Sequence, residues 1–315
     1  MELHQISDQP RRQAGQALRT ERQARGYRGR YQSAALALGL AASLLAGLTA
    51  CGDKPSAQVV VEKTAKPIQL SKALPAATKG MHRSASNAAR DLFRHPAETL
   101  SFFGVAPSDT VVELWPGGGW YTEVLAPYLR DGGRFIAASF DPNSGVTYHA
   151  TVDAKYKQKL ADAPMVYDQV EVVPFGKPYQ TLPLDDASVD VILTFRSSHN
   201  WMRDDAMEDV YRAAFKTLKS GGTFGVVQHR GKADQPPLWA RKFGYMPEAY
   251  VVSIAEKVGF RLAGRSDVNA NPADRKDYPD GVWTLPPSYR LGDQDREEYA
   301  AIGESDRMTL KFVKP

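Results

Sequence analysis

The sequence predicts an α/β fold, a mainly parallel sheet with helices on both of its faces. Three observations carry that prediction. Short apolar runs of strand length alternate along the chain with longer segments of helical periodicity. Glycine turns close the helical segments, at Asp131-Gly132-Gly133, Ser220-Gly221-Gly222 and Gly259. The stretch over residues 111–121, Val-Val-Glu-Leu-Trp-Pro-Gly-Gly-Gly-Trp-Tyr, runs from an apolar strand through a glycine turn into a helix start. In an open α/β sheet such a turn brings backbone N–H groups to a ligand at the carboxyl ends of the strands.

The first segments lie outside that fold. Residues 1–32 are polar and rich in arginine, without apolar periodicity. Residues 33–48 are almost free of polar groups, yet the run is short for a bilayer span, which needs about 20 residues. A basic flank, a short apolar core and small residues after it make a secretory signal peptide, here with an N-terminal extension, over residues 1–50. The run ends in Leu48-Thr49-Ala50-Cys51, which resembles the lipobox of bacterial lipoproteins. That resemblance implies a lipidated Cys51 thiol, and Gly52 in place of an Asp favours the outer membrane. The expected location is therefore the bacterial cell envelope, with a lipid-anchored domain facing the periplasm. Residues 51–80 hold few large apolar side chains and no period, and read as a flexible tether.

The folded domain is expected over residues 81–315. Residues 84–103 are helix-like, with Ala88, Leu92 and Phe93 on a common face and His95-Pro96 as a break. Strands are predicted over 110–114, 134–139, 170–173, 189–195, 223–228, 260–264 and 308–313. Helices are predicted from about 121 to 130, over 153–160, over 204–218 and over 248–258. In the third of these, Met207, Val210, Tyr211, Ala214 and Leu218 recur at helical spacing.

Composition narrows the class of protein. Hydrophobic residues make up 43% and charged residues 24%, ordinary for a chain that buries a sizeable core. The net charge of +4 belongs to the first 50 residues, and the remainder carries as many acidic as basic side chains. The folded part therefore offers no electrostatic case for nucleic acid as a partner. Cys51 is the one cysteine and the six histidines show no ligand spacing, so no metal site is expected. There is no Gly-x-Ser-x-Gly elbow and no Gly-x-x-x-x-Gly-Lys loop.

Several motifs in order resemble one family. These are Glu113 at the end of the first strand before the glycines, Leu182-Pro183 ahead of Ser188-Val189-Asp190-Val191-Ile192-Leu193, and Leu218-Lys219-Ser220-Gly221-Gly222-Thr223-Phe224. Together they resemble class I S-adenosylmethionine-dependent methyltransferases. Two further segments, Arg94-His95-Pro96-Ala97-Glu98 and residues 302–308, look like a less studied bacterial branch of them. The resemblance implies a Rossmann-like, doubly wound sheet of about seven strands, mostly parallel, with an antiparallel last strand. It also implies S-adenosylmethionine as cofactor and a small-molecule acceptor.

Carried over residue by residue, the resemblance makes Glu113 the partner of the cofactor's ammonium. Gly117, Gly118 and Gly119 let the backbone approach, and the helix starting near Tyr121 faces the carboxylate. Three positions depart from the family pattern. Trp115 stands at the first motif glycine, Ser139 stands at the ribose acid with Asp141 two residues on, and no acid follows the third strand. Ser139 and Asp141 share one side-chain direction along an extended strand, so either is a candidate for the ribose.

The end of the fourth strand supplies the acceptor side. His199 is the candidate base, because its ordinary pKa lies near neutrality. It can equally be a packed, hydrogen-bonded histidine. Arg196, Asn200, Trp201, His229 and Arg230 are the candidates for holding the acceptor, with packing or solvation as the alternative for Trp201 and Arg230. Two other functions compete with methyl transfer. One is a non-catalytic ligand-binding or scaffold lipoprotein with the same fold. The other, a dinucleotide-binding oxidoreductase, is weakened by Thr122 where a third motif glycine would fall.

Overall fold

The structure is a computed structural model and describes residues 73–315. The leader, Cys51 and most of the predicted tether lie outside the described residues. Among the described residues no helix is long and apolar enough to cross a membrane.

Seven strands form one sheet: β1 (Thr110–Leu114), β2 (Arg134–Phe140), β3 (Glu171–Phe175), β4 (Val189–Phe195), β5 (Leu218–His229), β6 (Arg261–Ser266) and β7 (Arg307–Val313). Their order across the sheet is β3-β2-β1-β4-β5-β7-β6. The first five pair in parallel, whereas β7 runs antiparallel to both β5 and β6. The doubly wound α/β fold, mostly parallel with an antiparallel last strand, is thus the one the sequence predicts. From β1 the chain winds outward through β2 to β3, and from β4 it winds the opposite way. The switch point lies between β1 and β4, where open α/β sheets open a crevice for ligands.

Side-chain alternation along these buried strands divides the core between the two faces. Val112, Leu114, Ile136, Ala138 and Ile192 pack on one face, with Trp115 and Phe140. Val111, Phe135, Val191 and Leu193 pack on the other, with Tyr121 and Phe195. A third cluster, around Tyr245, Tyr278, Leu285 and Tyr299, holds the long segment between β6 and β7.

Local structure departs from expectation in three places. Residues 73–78, assigned to the tether, form a helix that buries Leu74 and Ala77 in the second face's core. The helical segment over residues 84–103 breaks at His95-Pro96 as expected, with Pro96–Phe103 as the helix after the break, but the part before it is itself two short helices, Ala85–Ala88 and Asp91–Arg94. At the break, His95 takes a left-handed φ of 38° and Pro96 starts the next helix, where its missing N–H is harmless. The expected apolar face is accordingly broken. Ala88 and Leu92 are exposed, and Arg94 is the buried side chain instead. Finally, β5 starts at Leu218 rather than at Thr223, because the Gly221-Gly222 turn pairs with the chain end through Gly221 N–H to Lys314 O.

Candidate functional site

A cavity of about 790 Å³ opens at the carboxyl ends of β1 and β4, within the size range of ligand pockets, about 300–1,000 Å³. Its floor is the glycine turn. Trp115 takes φ 54°, Gly117 φ 59° and Gly119 φ 74°, so the chain reverses tightly between β1 and the helix Thr122–Leu129. A Cβ on Gly117 or Gly118 would meet nothing within 4 Å, which leaves the backbone open to the cavity. Gly119 faces the other way, and a Cβ there would lie 3.0 Å from the Tyr156 ring.

Glu113 lies beside this turn and is 3% exposed. Its Oε2 has no hydrogen-bond partner. Burial pushes its carboxyl up to about 8, only partly offset by the Thr122 hydroxyl and by Arg196 and Arg94. A cavity-lining carboxyl with a free oxygen, beside a backbone left open by Gly117 and Gly118, is suited to a cationic ligand group. Tyr121 seals the floor, its ring stacked on Phe195 at 3.5 Å, and burial pushes its hydroxyl up to about 12.

The wall at the end of β2 is aromatic. The Trp115 indole folds onto Phe140 with ring centres 4.3 Å apart and donates its Nε1–H to Phe175 O at 2.8 Å. This is how the bulky side chain at the glycine position is accommodated. Ser139 and Asp141 do not line the cavity. The shared direction inferred for them places both off the wall, and Phe140, of opposite direction, forms it. Ser139 is 1% exposed on the other face, and Asp141 Oδ1 accepts from Asn143 N at 2.9 Å. The polar lining groups here are Ser144 and His149, paired at 3.0 Å, which the sequence reading missed.

On the acceptor side, Arg196, His199, Asn200 and His229 line the cavity. His199 is 5% exposed. Burial, with Arg203 and Arg196 nearby, pushes its imidazole down to about 3. Gln228 Nε2 bonds Gly244 O at 2.9 Å, which fixes the amide so that its second hydrogen points to His199 Nδ1 at 3.3 Å. The ring is therefore neutral, carries its proton on Nε2 and is a weak base. His229 shares a hydrogen bond of 2.6 Å with Ser305 and is likewise held well below its ordinary pKa, by burial and then by His199 and Arg196. Trp201 and Arg230 do not reach the cavity. Trp201 is fully buried against Trp115, and Arg230 pairs with Asp267 at 3.1 Å and bonds Arg307 O.

Further lining residues missed by sequence reasoning come from two distant segments. Arg90 and Arg94 arrive from the short helices before β1, and Trp283 and Arg290 from the segment before β7. A signal was present: the Arg94–Glu98 and 302–308 motifs meet, with Arg94 Nε 3.2 Å from Glu304 Oε2. Among the described residues no group of three or more His, Cys, Asp or Glu is placed to hold a metal ion.

A seven-stranded sheet in this order, with a glycine turn and an acidic residue at the switch point, makes a Rossmann-like, doubly wound domain. Residues 115–226 match the family model described as a methyltransferase domain (Methyltransf_11). The fold is similar to that of the cyclase SpnF, at 15% identity and a TM-score of 0.52, over 75% of this chain and 85% of that one. It is also similar to a SAM dependent methyltransferase from Aquifex aeolicus, at 19% identity and a TM-score of 0.47, over 62% and 93% of the two chains. For a putative sarcosine dimethylglycine methyltransferase from Galdieria sulphuraria the identity is 15% and the TM-score 0.49, over 73% and 88%. No curated protein matches the chain.

Proposed function

We propose that the chain is an S-adenosylmethionine-dependent methyltransferase for a small-molecule acceptor, held at the cell envelope by a lipid on Cys51. The observation that carries the reading is Glu113, whose buried oxygen without a partner lies beside a glycine turn open to the cavity. The residues present suit the cofactor at that end. Glu113 meets the ammonium, Gly117 and Gly118 admit the chain, and the N–H groups at the start of the helix Thr122–Leu129 face the carboxylate. Ser144 and His149 are the polar groups offered to the ribose, in place of the acid expected on β2.

When bound, the sulfonium supplies an electrophilic methyl group. The chain's own contribution is to orient and to exclude water. Stacked Trp115 and Phe140 dry one wall, and Tyr121 on Phe195 closes the floor. Neutral His199, with its proton on Nε2, acts as a hydrogen-bond donor to the acceptor rather than as its base.

A second reading, a ligand-binding lipoprotein without catalysis, is favoured by one feature. The β2 end carries Ser139 where the family pattern has a ribose-binding acid, and Phe140 is the residue that lines the cavity there. Isothermal titration of the full chain with S-adenosylmethionine and S-adenosylhomocysteine separates the two. Binding that is lost in Glu113→Ala supports the enzyme. No binding at millimolar cofactor rejects it.

A further inference from the structure

At the acceptor end of the cavity the charges do not balance. Glu304 is the hub of the imbalance. Arg90 Nε lies 2.5 Å from its Oε1, Arg94 Nε lies 3.2 Å from its Oε2, and Arg307 Nη2 closes on the same Oε2. Burial works to raise the Glu304 pKa, yet Arg307, Arg94 and Arg90 outweigh it and hold the carboxyl at about 2. Arg196 is a fourth guanidinium close enough to interact with Arg307, Glu304 and Arg90. Among the described residues its side chain has no hydrogen bond and no ion pair. Four cations thus crowd on one carboxylate that is itself only 2% exposed.

The donors of this cluster are not used up. Arg94 is 2% exposed, and its Nη2 has no partner; neither has Nη2 of Arg90. The Arg94 guanidinium lies over the Trp120 ring at 4.7 Å, which softens its charge but takes no N–H in the ring plane. Arg90, Arg94 and Arg196 all line the cavity. Leaving buried, charged donors without acceptors is costly, so a structure that keeps them is prepared for an anion.

We propose that Arg90, Arg94 and Arg196 form an anion site in the cavity, and that the methyl acceptor carries the carboxylate or phosphate group that fills it. The cofactor brings no net negative charge, and its carboxylate is placed at the helix start by the reading above. S-adenosylmethionine has two positive groups and one negative, so its binding adds net positive charge to a region already in excess. Glu113, beside the glycine turn, answers the cofactor's ammonium and leaves the arginines uncompensated. An anionic acceptor restores the balance and is held by geometry and charge alone, as suits a site whose histidines are weak bases. That the anion belongs to the acceptor rests on the function proposed above, whereas the anion site does not.

The test uses the full chain and inorganic phosphate as probe, with chloride at equal ionic strength as reference. Phosphate binding is followed by calorimetry and by the shift in Tm. Phosphate is expected to bind and to raise Tm beyond chloride. Arg196→Gln, which breaks no contact within the protein, should weaken phosphate by about tenfold, the loss of roughly one charge-assisted hydrogen bond. Arg212→Gln, an exposed residue paired with Glu208, is the control and should bind as the parent does. Arg94→Gln should behave like Arg196→Gln if it folds, and the Arg196 variant decides if it does not. A phosphate effect no larger than that of chloride overturns the anion site, as does unchanged affinity in Arg196→Gln. S-adenosylmethionine titrated into Arg196→Gln should bind at least as well as to the parent. A variant that loses the cofactor would show that Arg196 serves the cofactor's own carboxylate, which overturns the acceptor assignment. Phosphate binding in a parent protein that ignores S-adenosylmethionine would leave the anion site standing and reject the methyltransferase reading.

Discussion

Glu113 couples ligand binding to proton release. Its carboxyl titrates near 8 in the folded protein against about 4.3 in an unfolded chain. A raised carboxyl pKa contributes stability that is complete below the unfolded value and is lost as pH rises through the folded one. His199 has the opposite sign. Its imidazole falls to about 3 from about 6.5, so its contribution is complete above the unfolded value and is lost as pH falls. The window between about 6.5 and about 8 therefore isolates Glu113 from His199. Urea unfolding should show the parent losing stability across that window and Glu113→Gln losing less. Equal slopes would place the titrating group elsewhere. Since an ammonium favours the ionised carboxylate, affinity for S-adenosylmethionine should rise over the same window. A second test at this scale concerns Trp115. Trp115→Phe keeps the stack on Phe140 but leaves Phe175 O without its donor, and should cost about 1–3 kcal/mol in denaturant unfolding. A loss near zero would mean that water replaces the indole.

At the scale of the element, the glycine turn separates folding from binding. Gly118 has room for a Cβ and no positive φ, so Gly118→Ala should change stability by no more than about 0.5 kcal/mol. Its methyl group enters the cavity, however, and should weaken S-adenosylhomocysteine in the same titration. Gly119 has φ 74° and the Tyr156 ring 3.0 Å from the added carbon. Gly119→Ala should destabilise the fold by about 1–3 kcal/mol. Were Gly118→Ala the more destabilising of the two, the turn would be packed differently. The strands around this turn were readable because buried parallel strands are short, apolar and bounded by glycines. The short helices Ala240–Phe243 and Arg296–Ile302 were not, because a turn or two of helix has no room for a periodic apolar face.

For the whole molecule, the fold limits the chemistry without choosing it. One fold hosts many activities, so the reaction is decided by side chains in the cavity. The leader and Cys51 lie outside the described residues, and the envelope reading stands on sequence pattern. Cys51→Ser should move the protein from membrane to soluble fractions of lysed cells. Continued sedimentation with membranes would count against lipidation.

Periodicity, turn chemistry and motif order were enough to determine the α/β class, the sheet's parallel character and the cavity's floor at Glu113 and the glycines. These are local properties, written in consecutive residues. The walls were not legible in the same way. Arg90 and Arg94 meet Glu304 from more than 200 positions away, and the side-chain direction at the end of β2 selects Phe140 over Ser139 and Asp141. Only tertiary packing decides which distant charges share a dry space, because burial, not sequence separation, sets how strongly they act on one another. The sequence by itself thus determined the glycine turn that floors the cavity, and the fold decided that one end of that cavity is cationic.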